Sequence, residues 1–405
     1  MTDPAAPTPS APQHSAPQQS AVQHPAPAPS HPCPDPGGLQ EFSVVYTDRA
    51  LNHMSQAFQG VMRDLSADLK AVYGADAVAV IPGSGTSGME AVVAQLAQDA
   101  RCLVIRSGWF SYRWTQIFER SRLPAAVTVL QARPQVAQGV QRPYAPVPIE
   151  KAVETIRRER PALVFAPHVE TSAGLILPDS YIRALAGAAH EVGGLLVIDA
   201  IASGCVWLDM RELGIDILIS APQKGWSSTP CAGLVMLSGA ARARVEATES
   251  VSFSLDLKKW LSIMGAYEAG GHAYHATMPT DGLRQLRGTV REMREFGLDQ
   301  AQAAQWELGR QVRQLLEEAG FPSVAAPGFQ APGVVVCYTD REDIRTGRAF
   351  AQAGLQIAAG VPLQCGEGED FSTFRTGLFG LDKLRDVPGT VARFRQGLSQ
   401  VLAAR

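Results

Sequence analysis

Four apolar runs, at residues 77–81, 102–105, 163–166 and 195–199, recur along the chain with helix-period segments between them. A run without polar alternation marks a strand covered on both faces. The intervening stretches 54–73, 89–96, 112–120, 149–159 and 180–191 read as helices, and in the first of them Phe58, Val61, Met62 and Leu65 share one side. Residues 126–130 and 215–219 read as further strands. Such alternation builds an α/β fold, a parallel or mostly parallel sheet between layers of helices.

Past Pro279 the pattern changes. A long helix is predicted to about residue 319, bent or broken near Gly297, and segments 333–338, 344–353, 374–378 and 387–402 then suggest a smaller α+β domain. The expected division is a large domain over 39–290 and a small one over 291–405. Residues 1–38 are rich in Pro, Ala, Gln, Ser and His, too poor in apolar side chains to repay the entropy of ordering, and disorder is expected there. They contain no apolar core of a secretory signal, and the first arginine is Arg49, which argues against an organellar transit peptide.

A net charge of -3 gives no electrostatic case for nucleic acid or an anionic membrane, and no apolar stretch is long enough to span a bilayer. The six cysteines are scattered without a C-x-x-C pair, which reads as free thiols in a reducing compartment. No His or Cys spacing suggests a metal site. Cytoplasm is the expected location.

Lys224 stands in Ser220-Ala221-Pro222-Gln223-Lys224-Gly225-Trp226, just after the 215–219 run, and lysine is scarce in this chain. An amine held where a strand gives way to a turn of small residues loses water and some proton affinity, as a Schiff-base lysine requires. A lysine that merely closes a loop is the plain alternative. Asp199 ends the 195–199 strand, at the sheet edge where α/β folds bind ligands. It either caps the next turn or pairs with a pyridinium nitrogen. Gly83-Ser84-Gly85-Thr86-Ser87-Gly88 follows a strand and opens a helix, whose first amides suit a phosphate. The string also fits G-x-G-x-x-G, so a nicotinamide-dependent dehydrogenase is a rival; Arg106 ends the next strand where that rival wants a carboxylate, though an arginine could serve a 2′-phosphate. Phe110 suits ring stacking or plain core packing. Arg375, inside a short apolar segment, suits a substrate carboxylate or a structural ion pair. Anion cradle, acid partner and amine together are what pyridoxal phosphate needs.

With these residues in hand, the chain from about residue 52 onward resembles the class V aminotransferases of fold type I, nearest the alanine–glyoxylate and serine–glyoxylate group. Gly83-Ser84-Gly85-Thr86 is similar to the phosphate turn, and His168-Val169-Glu170-Thr171-Ser172-Ala173-Gly174 to the H-x-E-[ST]-S-x-G segment. Val197-Ile198-Asp199-Ala200-Ile201 is similar to the pyridine-nitrogen strand, and Gln223-Lys224 to the Gln-Lys pair. The resemblance implies a mostly parallel seven-stranded sheet and pyridoxal 5'-phosphate as cofactor. It implies cofactor contacts from Ser84, Gly85, Thr86, Phe110, Ser172, Asp199, Ile201, Gln223 and Lys224, with Lys224 and Asp199 catalytic and Arg375 on the substrate's carboxylate. It implies a homodimer in which Tyr274 and Thr277 reach the neighbouring subunit's cofactor phosphate. The implied reaction moves an amino group from a small amino acid to glyoxylate or pyruvate by ping-pong exchange.

Two departures bear on substrate. The family's Gly-Pro-Gly-Pro-like opening is replaced by Phe42-Ser43-Val44-Val45-Tyr46-Thr47-Asp48, and Trp109, Tyr112 and Trp114 make their stretch unusually aromatic. Within the fold the rival is a lyase or cysteine desulfurase, which would want His in place of Gln223 and a reactive loop thiol such as Cys365. A binding module without turnover is the non-enzymatic alternative.

Overall fold

The computed structural model describes residues 33–136, 139 and 141–404, so most of the 1–38 tail lies outside the described residues. Within the described residues, the Pro34 carbonyl accepts a bond from Arg284 Nη1 at 2.9 Å.

The expected apolar runs form one seven-stranded sheet. Across it the order is Ala77–Pro82, Ala232–Leu237, Ile217–Ser220, Leu195–Asp199, Leu163–Pro167, Arg101–Arg106 and Ala126–Gln131. Only Ala232–Leu237 runs against its neighbours, and the other six strands point the same way. That strand has no counterpart among the expected segments, although every residue of it is buried. Ala77–Pro82 is an edge strand yet almost wholly buried, because helices Gln56–Tyr73 and Leu257–Glu268 pack on it. Ala126–Gln131, the other edge, is half-exposed and departs from the two-sided burial predicted for it.

Local chemistry explains where the helices begin. Ser55 caps Gln56–Tyr73 by accepting from the Phe58 amide, and Phe58, Val61, Met62, Leu65 and Leu69 line its buried side. The second helix starts at Gly85, four residues earlier than its apolar spacing suggests, because the glycine–serine turn continues straight into it. The third starts at Trp109, and its Trp114 packs on Phe165 of the sheet with ring centroids 4.5 Å apart.

The long helix expected beyond Pro279 is two helices, Thr280–Phe296 and Leu298–Glu318, parted at Gly297, whose φ is 99°. The first packs on Gln56–Tyr73 and the second on Val387–Ala403 and the strand Val334–Tyr338. That strand, with Thr373–Gly377 and the short Ala358–Ala359, forms a separate antiparallel sheet. Residues 344–353, expected as one segment, hold two short helices, Glu342–Arg345 and Arg348–Gln352, divided at Gly347. No helix among the described residues is long and apolar enough to cross a membrane.

Leu234 is fully buried in the antiparallel strand. Leu234→Ala is expected to lower the unfolding free energy by about 2–5 kcal/mol. A urea midpoint equal to that of the parent protein would show that this strand is not part of the packed core.

Candidate active site

The six co-directed strands deliver their carboxyl ends to one edge of the sheet, and the predicted site residues follow those ends. Asp199 is the last residue of its strand and pairs in register with Ile219, five residues before Lys224. The Ala200 amide bonds the Ile219 carbonyl at 2.8 Å, so both chains leave the sheet side by side. On the other flank the His168 amide bonds the Asp199 carbonyl at 2.8 Å, which brings the 168–174 segment alongside. At Gly85 a β-carbon would lie 2.5 Å from Ile201 Cδ1 and 3.3 Å from the Ala221 β-carbon. The glycine turn, Ile201 and the start of the lysine loop therefore meet at one point.

Arg113 ties a further element in. Its Nη1 donates to Thr86 Oγ1 at 2.9 Å, and its guanidinium lies 5.4 Å from the Phe110 ring centroid. The Arg375 guanidinium lies 5.6 Å from the same centroid, and its Nε donates to the Ala359 carbonyl at 2.8 Å. Phe110 thus has two cations over it. Ser172 Oγ accepts from the Trp109 amide at 2.9 Å and donates to Glu170 at 2.7 Å. Lys224 Nζ lies 5.0 Å from the Phe379 ring centroid. Gly225 beside it has no room for a side chain, since a β-carbon would fall 2.0 Å from the Gly204 carbonyl oxygen.

Tyr274 and Thr277 are brought to each other, with their hydroxyls 3.2 Å apart, but both are exposed, Tyr274 to 54%. The Tyr274 ring contacts buried His53, which also meets the rings of Tyr46 and His272.

Burial sets the protonation of the site. It pushes Asp199 up to about 7, helped by the charge of Glu170 and opposed by the Ile201 amide and Arg113. It lowers the Lys224 amine, and the charge of Arg375 lowers it further. His168, fully enclosed with Nδ1 2.7 Å from Ser203 Oγ, is pushed down to about 3 and stays neutral.

The rival readings meet physical obstacles. In a dinucleotide fold the strand after the glycine turn neighbours the first one. Here Ala77–Pro82 pairs with Ala232–Leu237, and Arg101–Arg106 lies four strands beyond that partner. Arg106 is engaged by Thr115 Oγ1, the Gln364 carbonyl and the Tyr112 ring. Cys365 is buried, which pushes its thiol up to about 12, the opposite of a reactive loop thiolate.

A model of the family described as Aminotransferase class-V matches residues 40–363. The chain belongs to the class-V aminotransferases. It is a pyridoxal-phosphate-dependent transaminase. This class-V aminotransferase is 28% identical to 2-aminoethylphosphonate–pyruvate transaminase 2 of Paraburkholderia xenovorans over 361 residues, covering 87% of this chain and 90% of that protein. It is 25% identical to the alanine–glyoxylate aminotransferase of Rattus norvegicus over 356 residues, covering 85% and 81%. The solved alanine–glyoxylate aminotransferase of a Nostoc species has the same fold, with a TM-score of 0.74 at 22% identity over 87% of this chain and 89% of that one.

The residues fit the cofactor on four counts. The first-turn amides after Ser84 have no partner within their own helix, as at any helix start, and no side chain at Gly85 blocks them. Asp199 is a buried carboxylate with no ion-pair partner among the described residues, and it holds only the Ile201 amide at 3.0 Å. Gln223 Oε1 is buried without a hydrogen-bond partner. Lys224 has no carboxylate beside it among the described residues, only the Phe379 ring. A phosphorylated pyridine aldehyde would supply what each lacks.

Three contributors escaped the sequence reading: Arg113, Glu170 as a hub, and Phe379. Arg113 was within reach, because it lies three residues after Phe110 on one helix and so shares its side. Phe379 follows the Arg375 strand, and nothing local connects it to Lys224.

Asp199 gives a pH signature in the cofactor-free protein. Its folded pKa of about 7 exceeds the ordinary 3.8, so the folded state binds a proton that the unfolded chain has already lost between those values. Stability from this group therefore falls as pH rises through that window. In Asp199→Asn the fall is absent, and the apo variant should gain roughly 2–4 kcal/mol on its parent between pH 4 and 8. Parallel denaturation curves for the two proteins across that range would contradict the assignment.

Proposed function

We propose that this transaminase moves the amino group of a small amino acid such as alanine or serine to a small 2-oxo acid, glyoxylate or pyruvate, by ping-pong exchange. The observation that carries this reading is the placement of Arg375 over Phe110 and within electrostatic range of Lys224, a carboxylate-binding cation beside the reactive amine.

When bound, pyridoxal phosphate supplies an aldehyde for amines and a ring that accepts the electrons freed when the substrate Cα loses its proton. In this reading Lys224 would bind the cofactor's aldehyde and would serve as the general base for the substrate Cα proton. Its lowered proton affinity leaves more of the amine free to act as base near neutral pH. Asp199 would partner the ring nitrogen and favour its protonated form. Ser84, Gly85 and Thr86 would hold the phosphate at the helix start, with Arg113, bonded to Thr86, adding positive charge. Phe110 and Ile201 would enclose the ring, Ser172 and Gln223 would meet its polar groups, and Arg375 would orient the substrate carboxylate.

The assembly in this proposal is a homodimer with sites at the subunit boundary. Exposed Phe42, Val44, Phe253 and Tyr274 give it an apolar surface to cover, and Tyr274 and Thr277 would turn toward the other subunit's phosphate. Mixing Lys224→Ala with Tyr274→Ala subunits should then restore activity that neither has alone, because one site per hybrid is whole. Activity that stays at the level of the separate variants would refute shared sites.

A second reading has its own support. Arg113 places a second guanidinium on Phe110, which suits a donor with a phosphonate in place of a carboxylate. Turnover of alanine, serine and 2-aminoethylphosphonate against glyoxylate, pyruvate and 2-oxoglutarate decides between the two. Lys224→Ala should abolish turnover of whichever pair reacts; steady-state rates close to those of the parent would overturn the assignment.

A further inference from the structure

Glu170 is 1% exposed, a carboxylate deep inside the protein, and among the described residues it forms no ion pair. Burying such a charge costs several kcal/mol unless hydrogen bonds replace its water. Five donors do so. Oε1 receives the Phe110 amide at 3.2 Å, the Ser172 amide at 3.1 Å and the Ser172 hydroxyl at 2.7 Å. Oε2 receives the Ser111 amide at 2.8 Å and the Ser111 hydroxyl at 2.7 Å.

These donors come from two places. One is the first turn of Trp109–Ser121, where free amides and the helix dipole favour a negative charge. The other is the turn that carries Ser172. The strands that feed them, Arg101–Arg106 and Leu163–Pro167, are parallel neighbours. From the first, the chain moves outward to Ala126–Gln131; from the second, it moves the other way to Leu195–Asp199. Such a divergence opens the crevice where α/β folds seat ligands. Gly108 lets the two sides close, since a β-carbon there would lie 2.0 Å from Ser172 Oγ and 2.7 Å from Glu170 Cγ.

We propose that Glu170 is a positioning residue for transamination, tying the two lips of this crevice together and so fixing the Phe110 ring and the Ser172 hydroxyl against the cofactor. The inference rests on the assignment of Phe110 and Ser172 as cofactor contacts. Neutralising the group also removes a charge that Asp199 and Arg375 both feel.

The test uses full-length protein stripped of cofactor and titrated with pyridoxal phosphate. In Glu170→Gln the side chain keeps its shape, but its amide nitrogen faces backbone N–H donors. Its Kd for the cofactor should rise about tenfold or more, the worth of a charged hydrogen bond. At saturation the visible circular dichroism of the bound cofactor should weaken, because the ring is no longer held in one pose. A role confined to stability would lower the melting point of the apoprotein and leave both readouts unchanged. Phe110→Ala and Ser172→Ala serve as controls. If they weaken binding while Glu170→Gln matches the parent in Kd and dichroism, the proposal is overturned. If neither control has any effect, the contact assignment fails instead. Should Glu170→Gln not fold, Ser111→Ala removes one donor of the five and should raise Kd about threefold, the worth of a weaker bond; an unchanged Kd there would also overturn the proposal.

Discussion

Parallel pairing of Leu195–Asp199 with Ile217–Ser220 sets Asp199 opposite Ile219, and the geometry of the site descends from that register. Side chains on a strand alternate faces, so a slip of one residue would turn Asp199 to the other side of the sheet. The pairing holds because both strands are apolar and wholly buried, leaving each backbone group no partner except its neighbour. Lys224 then has a short, nearly closed path from strand to site, and Gly225 lets it pass the Gly204 carbonyl.

The same burial that stabilises the sheet makes its carboxyl edge an uncomfortable place for charge. Asp199 is held near neutrality in proton affinity, Lys224 is weakened as a base, and His168 is kept uncharged. For Asp199 and Lys224 this burial costs stability at neutral pH, and a bound cofactor with a protonated ring nitrogen and an aldehyde would relieve both. Glu170 meets the same problem differently. Its charge is satisfied internally by five donors, so it needs no ligand and becomes part of the frame.

How much of this was legible depends on the distance over which each residue acts. Asp199, Lys224 and the Gly83–Thr86 turn each end or follow an apolar strand, and in an open α/β fold that position alone points to the ligand edge. Ile201 and Gln223 came with them as chain neighbours. Glu170 lies within the H-x-E-[ST]-S-x-G string, but its role required knowing that the 101–106 and 163–167 strands are adjacent, and Arg113 acts by reaching Thr86 on another helix. Phe379 and the Ala359 carbonyl reach the site from a separate sheet, over a separation that no local pattern spans. The strand Ala232–Leu237 went unread for a related reason. A buried apolar run looks alike whichever way it points, and its antiparallel insertion beside the first strand is decided by its partners.

Sequence by itself determined the layer architecture, the amine, the acid and the anion turn, because periodicity and strand-end position are properties of short stretches of chain. Only the tertiary structure decided that Phe110 has two guanidiniums near its ring, that Cys365 is sealed away and that Glu170 joins a helix start to a turn. Those facts depend on which strands become neighbours, and strand adjacency is settled by the packing of the whole core.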